Sequence, residues 1–262
     1  MQTVLTIAGS DSGGGAGIQA DLKTFAAHGV YGTSAITAVT AQNTLGVSTW
    51  QALPADLVTA QIEAVAADIG AGAVKVGMLG NAAIVEAVAA AIAELDLPHV
   101  VVDPVMVAKG GARLLESSGV EAIRTELLSR AHVVTPNIPE AEVLSGRSIQ
   151  SVADMREAGL RILQLGPRVV LVKGGHLDAP ESVDVACSLE EVFELRRPRI
   201  ATTNTHGTGC TLSSAIAANL ALGLDVRAAL EAARDYLDGA IRNAPRIGHG
   251  KGPLNHFWRL SA

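Results

Sequence analysis

The run His99-Val100-Val101-Val102-Asp103-Pro104-Val105-Met106 decides the fold. Three consecutive valines leave no polar position on either side of a strand, so both faces must be covered, as in a parallel sheet held between helix layers. An aspartate and a proline then end the strand. Further Val/Ile-rich runs lie at residues 4–8, 33–40, 73–77, 133–135 and 168–173. Between these strands lie Ala/Leu-rich stretches of helical period, at 17–28, 55–68, 82–95, 120–129, 139–145, 151–165, 207–222 and 226–244. This alternation predicts an α/β fold with a mostly parallel central sheet. From 182 to 199 the pattern changes to short alternating runs split by Leu189-Glu190-Glu191, which predicts an antiparallel edge hairpin.

The chain has 262 residues, of which 48% are hydrophobic, enough for one large core, and no low-complexity run or repeat divides it. One domain over 1–262 is expected. A formal net charge of -6 and scattered Lys and Arg argue against nucleic acid as a partner. The densest basic run, Arg196-Arg197-Pro198-Arg199, reads as a solvated strand end. The N-terminus lacks a basic segment followed by a long apolar one, and the apolar run at 82–93 is too short to span a bilayer. A cytoplasmic protein with no membrane partner is therefore expected. The two cysteines, Cys187 and Cys210, cannot make a four-thiolate zinc site and are expected to be free thiols.

In open α/β sheets ligands bind beyond the carboxyl ends of the strands. The residues leaving those ends are polar or glycine-rich in strand after strand: 9–17, Gln42-Asn43, Gly77-Met78, Asp103 to Met106, Pro136-Asn137 and Lys173-Gly174-Gly175-His176. Asn204-Thr205-His206-Gly207-Thr208-Gly209-Cys210-Thr211 opens a long Ala-rich helix whose first amides and dipole favour an anion. The same dipole is expected to favour the thiolate of Cys210. On a plainer reading the glycines only let the chain turn, and the cysteine is a small apolar residue.

Gly15-Ala16-Gly17-Ile18-Gln19-Ala20 fits the dinucleotide fingerprint in form, but the second strand ends without the acid that would hold a ribose, so that reading is rejected. No P-loop motif occurs either. Asp21 can contact a substrate or serve as a first-turn acid favoured by the helix dipole. Asp103 and Glu140 can be caps and solvated loop residues, or they can supply carboxylates to Mg²⁺. Lys173 can meet a phosphate or reach water.

Taken together, the blocks from Ala8 to Thr24, Ala41-Gln42-Asn43-Thr44, Lys75-Val76-Gly77-Met78-Leu79, Asp103-Pro104-Val105-Met106, Thr135-Pro136-Asn137-Ile138-Pro139-Glu140-Ala141, Lys173 to His176 and Asn204 to Cys210 resemble the hydroxymethylpyrimidine/phosphomethylpyrimidine kinases of the ribokinase-like superfamily. The resemblance covers nearly the whole chain. It implies a three-layer α/β/α sandwich, a homodimer, and phosphorylation of hydroxymethylpyrimidine and of its monophosphate with ATP and Mg²⁺ in thiamine biosynthesis. Gln42, Asp21, Gly9, Met78 and Val105 would line the pyrimidine pocket. Asp103, Asn137, Glu140, Lys173, Thr208 and Gly209 would serve the nucleotide, with Asp103 and Glu140 at the metal. Cys210 would be the base, working with Gly207, Thr208, Gly209 and Lys173.

The residue types suit that chemistry. The Gln42 amide offers an acceptor and a donor side by side, matching a ring nitrogen and an exocyclic amine. Phosphoryl transfer needs positioning and charge stabilisation, which the amides from Gly207 to Cys210 and the Lys173 ammonium can supply. Lys109-Gly110-Gly111-Ala112-Arg113 is expected to form a flap over the substrate or an ordinary surface loop. A pyridoxal or pyridoxine kinase is the nearest alternative. Against it, Ala108 stands where pyridoxal-active relatives tend to have a second cysteine. A non-catalytic pyrimidine sensor is a third reading, but it leaves Asp103, Lys173 and the 207–210 turn without purpose.

Overall fold

The valines at 100–102 form the short central strand β5 (Val100–Val102) in a computed structural model that describes residues 1–107, 114–175, 177 and 181–260. Val100 and Val102 face one apolar layer and Val101 the other, so the strand is covered on both sides as its sequence requires. The segment 109–113, expected as a flap or a surface loop, lies outside the described residues, as do Ala108 and His176.

The sheet has nine strands: β1 (Thr3–Asp11), β2 (Tyr31–Asn43), β3 (Gly46–Ala52), β4 (Ala73–Val76), β5, β6 (Val133–Val134), β7 (Val169–Val172), β8 (Glu181–Cys187) and β9 (Val192–Pro198). Their spatial order is β3-β2-β1-β4-β5-β6-β7-β8-β9. The six strands from β2 to β7 in that order pair in parallel, while β3, β8 and β9 pair antiparallel. The expected hairpin at 182–199 is β8–β9. A second hairpin, β2–β3, was not foreseen: β2 runs on past residue 40, and β3 is an edge strand of mixed polarity without a strong apolar signal.

Helices α1 (Gly17–Ala27), α7 (Thr208–Ala221) and α8 (Val226–Arg242) cover one face; α2 (Ala55–Asp68), α3 (Ala82–Glu94), α4 (Ser117–Ala122), α5 (Ile138–Ser145) and α6 (Val152–Leu163) lie on the other. This is a three-layer α/β/α sandwich. The helix expected at 120–129 starts earlier and is not uniform. After α4 the chain passes through a π turn at Ile123–Leu127 and a 3-10 turn at Leu128–Arg130.

Two features position the site. The parallel strands all point their carboxyl ends to one edge, where β1 has β2 on one side and β4 on the other. Helix α7 starts at that edge and packs on β1, β4 and β5 between α1 and α8. Its residues 211–221 are all buried, and small side chains such as Ala215, Ala217 and Ala218 let it lie close to the sheet.

Candidate active site

Gly207 enters α7 in the left-handed region, at φ +83°, and no side chain caps the helix. A Cβ at Gly207 would lie 1.8 Å from the Gly15 carbonyl oxygen, so only glycine lets this turn pass so close to the β1–α1 loop. The first turn thus presents amide N–H groups and the positive end of a 14-residue helix to the cleft.

Beneath that turn Lys173 Nζ donates to Asp103 Oδ1 at 2.7 Å. The pair lies directly against Gly209, whose added Cβ would be 3.0 Å from Asp103 Oδ2 and 3.3 Å from Lys173 Nζ. Glu140 completes the group. It forms a capping box with Asn137: Asn137 N donates to Glu140 Oε2 at 2.8 Å and Glu140 N donates to Asn137 Oδ1 at 3.0 Å. Burial pushes the Glu140 carboxyl up to about 7, with Lys173 pulling it down and Asp103 pushing it further up. Burial alone would lower the Lys173 ammonium, but Asp103 and Glu140 outweigh it and hold its pKa above the ordinary value. Two carboxylates therefore share one lysine.

On the substrate side, the β1–α1 loop is organised by Asp11. Its Oδ1 accepts from Gly13 N at 2.8 Å, and its Oδ2 accepts from Ala16 N at 2.8 Å and Gly15 N at 3.0 Å. His206 Nε2 lies 2.8 Å from the same Oδ2 and 3.4 Å from the Gln42 side-chain amide. Burial would raise the Asp11 carboxyl, but the His206 hydrogen bond and the loop amides hold it below the usual carboxylate value. The neighbouring wall is apolar: Met78 and Leu114 are buried with Ala38, and Trp50 and Val105 pack against them. Gly9 belongs to this wall, for a Cβ there would lie 3.0 Å from Met78 Sδ.

Two expectations need correction. Asp21 does not reach the cleft. It is fully buried, its Oδ2 accepting from Lys75 Nζ at 2.8 Å and Thr6 Oγ1 at 2.7 Å, and its Oδ1 from Ser214 Oγ at 2.7 Å. It braces α1 against β4 and α7 from below. Nor is Cys210 poised as a thiolate: burial pushes its thiol up to about 11, and Asp21 and Asp103 raise it further against the lowering effect of Lys75 and a Gly17 amide. Desolvation is the largest of these effects.

The structure brings Asp103, Asn137, Glu140, Lys173, Gly209 and Cys210 together at one edge, with Gln42, Gly9, Met78 and Val105 beside them. Sequence reading assigned no role to Asp11, His206, Lys75 or Trp50. Lys75 carried a usable signal, a lone charge within the four-residue apolar strand β4.

An uncapped helix N-terminus above an acid–lysine pair, at the carboxyl edge of a three-layer α/β/α sandwich, defines a phosphotransferase of ribokinase-like architecture. A family model described as phosphomethylpyrimidine kinase matches residues 11–255, and the chain belongs to that family. It is 51% identical over 257 residues to the hydroxymethylpyrimidine/phosphomethylpyrimidine kinase of Synechococcus elongatus, covering 98% of this chain and 97% of that one. It is 52% identical over 255 residues to the thiamine biosynthesis bifunctional protein ThiED of Geobacter sulfurreducens, covering 97% of this chain but spanning only 52% of the length of that protein. Among solved structures, phosphomethylpyrimidine kinase from Clostridium difficile matches at a TM-score of 0.83 and 45% identity, covering 92% of this chain and 100% of that one. An ADP complex of Bacillus subtilis pyridoxal kinase matches at 0.93 and 39% identity, covering 100% of both chains.

Proposed function

We propose that residues 1–262 form one kinase domain that transfers the γ-phosphoryl group of ATP to the hydroxymethyl group of hydroxymethylpyrimidine, and then phosphorylates the monophosphate to the diphosphate, in thiamine biosynthesis. The observation that carries this reading is the open first turn of α7, set over Asp103 and Lys173 and joined through His206 to Gln42. It sets the open turn and the Gln42 amide at one edge, which supports reading them as an anion cradle and an aminopyrimidine contact.

On this reading Gln42 meets the ring nitrogen and amine, and Met78, Val105 and Trp50 cover the apolar ring. The amides of Gly207 to Cys210 hold the oxygens of the transferring group, and Lys173 screens their charge. The transition state of such transfers is loose, so the attacking hydroxyl needs orientation more than early deprotonation. A neutral Cys210 thiol suits that role: its sulfur accepts the hydroxyl hydrogen bond and directs the oxygen at the phosphorus, and the hydroxyl proton leaves late, onto an oxygen of the transferred phosphoryl group. On this reading the nucleoside would lie in the cavity of about 550 Å³ beside Thr203 and Asn204, which is also bordered by Arg242 and Arg246.

The donor set also fits Mg²⁺. Asp103 and Glu140 are buried oxygen donors, and beyond the effect of burial Asp103 pushes the Glu140 carboxyl further up, so a cation beside the two would relieve both. When bound, the ion would neutralise phosphate charge. Asp103 would hold it directly, while Glu140, engaged in its capping box, would act through water.

The reading carries with it a homodimer working in the cytoplasm; among the described residues no helix is long and apolar enough to cross a membrane. The close fold match to pyridoxal kinase favours pyridoxal phosphorylation as a second activity. One assay tests both, namely ATP consumption with hydroxymethylpyrimidine, with its monophosphate and with pyridoxal. Turnover with the first two, well above that with pyridoxal, is expected. No turnover with either pyrimidine would overturn the reading.

A further inference from the structure

The contacts around the Gln42 side chain determine which way its amide must lie. On one side, His206 Nε2 is 2.8 Å from Asp11 Oδ2 and 3.4 Å from Gln42 Nε2. On the other, Thr40 Oγ1 is 2.9 Å from the Ser10 carbonyl oxygen and 3.1 Å from Gln42 Oε1. The two ends of an amide have nearly the same shape, and their hydrogen-bond partners decide between them.

The Asp11 carboxylate can only accept, so His206 Nε2 must carry a proton whether the ring is neutral or charged. With a proton that nitrogen has no lone pair, and the Gln42 atom facing it must be the acceptor, Oε1. The argument from Thr40 is independent. Its hydroxyl has one proton, which the Ser10 carbonyl takes, so its oxygen must accept from Gln42 and faces Nε2. In the opposite orientation two donors would meet at His206 and two acceptors at Thr40, both in a partly dehydrated place where unmade hydrogen bonds are costly. A half-turn of the amide resolves both conflicts at once.

We propose that Asp11 and His206 are positioning residues that lock the Gln42 amide with its oxygen toward His206 and its nitrogen toward Thr40, so that the site reads an exocyclic amine beside a ring nitrogen in one sense and rejects the reverse pattern. The amide keeps one lone pair and one N–H for the ring. A 4-aminopyrimidine offers its amine to Oε1 and its neighbouring ring nitrogen to Nε2. The 4-oxo analogue, with N–H at that ring position, presents an acceptor to the oxygen and a donor to the nitrogen. Binding it would require the amide to turn back into both conflicts, which is discrimination by repulsion. The inference rests on Gln42 being the residue that reads the ring.

The test compares kcat and KM for hydroxymethylpyrimidine and its 4-oxo analogue in the wild type and in His206→Leu, His206→Gln and Gln42→Leu. His206→Leu removes the N–H that fixes the amide. The preference for the amino substrate should fall by about tenfold or more, mainly through a lower KM for the analogue. His206→Gln, which keeps a donor for Asp11, should restore much of it. An equal loss with both substrates, leaving the preference unchanged, overturns the lock and makes His206 merely structural. ¹⁵N–¹H correlation spectra of the wild type provide a check that needs no variant: Nε2 of His206 should be protonated, and a bare Nε2 overturns the inference. If Gln42→Leu leaves the KM for hydroxymethylpyrimidine unchanged, Gln42 does not read the ring and that part of the functional reading fails. If that KM rises while His206→Leu leaves the preference intact, only the lock fails.

Discussion

Lys75 Nζ donates to Asp21 Oδ2 at 2.8 Å with both side chains shut off from solvent. Thr6 and Ser214 occupy the rest of the carboxylate, so the four groups join β1, α1, β4 and α7 in one closed polar knot. Burial would lower the lysine's pKa, but Asp21, aided by Asp103, outweighs it and keeps Lys75 charged.

Breaking the knot at one point strands a buried charge. Lys75→Met should destabilise the protein by roughly 3–5 kcal/mol, and Lys75→Met with Asp21→Asn should cost less than the sum of the singles. Urea unfolding measures both. A strictly additive double variant would mean that the two side chains do not depend on each other. Because the Asp21 carboxylate is fully buried and taken up by Lys75, Thr6 and Ser214, Asp21→Asn should disturb stability more than the KM for the pyrimidine.

The state of Cys210 is open to two measurements. Cys210→Ala should lower kcat by about 10²-fold with little change in ATP binding, because the attacking hydroxyl loses the group that orients it. Its alkylation by iodoacetamide should be slow near neutral pH and rise only as pH approaches about 11, where the thiol ionises. Fast alkylation at pH 7 would restore the thiolate.

Lys173 and Asp103 divide the work on charge. Lys173→Met should reduce kcat by roughly 10²–10³-fold, as loss of one preorganised stabilising group does. Asp103→Asn should shift the Mg²⁺ concentration needed for half-maximal rate upward as well as lower kcat. Titrations of the rate with Mg²⁺ separate the two, and an unchanged requirement in Asp103→Asn would remove that residue from the metal.

His256 makes stability depend on acid. It is buried with Nε2 3.0 Å from Thr211 Oγ1. Burial, aided by Lys23, pushes its pKa from 6.5 down to about 4. Its neutral form therefore contributes stability that is present above about 6.5 and lost as pH falls toward about 4. Within that window the wild type should lose stability more steeply than His256→Gln, by at most about 1.4 kcal/mol per pH unit. Parallel slopes in denaturation series at pH 6.5, 5.5 and 4.5 would count against this assignment.

Much of this was readable from sequence because local and global preferences agree. The valines at 100–102, the Asn137–Glu140 spacing around Pro139 and the 207–209 glycines each have a consequence within a few residues: strand, capping box and open turn. What escaped depends on distant residues meeting. His206 and Asp11 are 195 positions apart and Lys75 and Asp21 are 54 apart, and no periodicity announces such pairs. The Cys210 thiolate failed for the same reason, since a helix dipole is visible in sequence but the burial and carboxylates around the sulfur are not. Strand β3 escaped for a different reason: an edge strand need not be apolar.

The burial of residues 211–221 of α7 has a mechanical consequence. A helix wedged between two others and a sheet has no room to slide or tilt, and its small side chains leave no slack to be taken up. Opening it would mean opening the core, so the amides of its buried residues 211–221 should exchange with heavy water only through global unfolding, whether or not nucleotide is present. The anion cradle is then an anvil. Whatever closes over a bound substrate must then move toward a cradle that stays where it is.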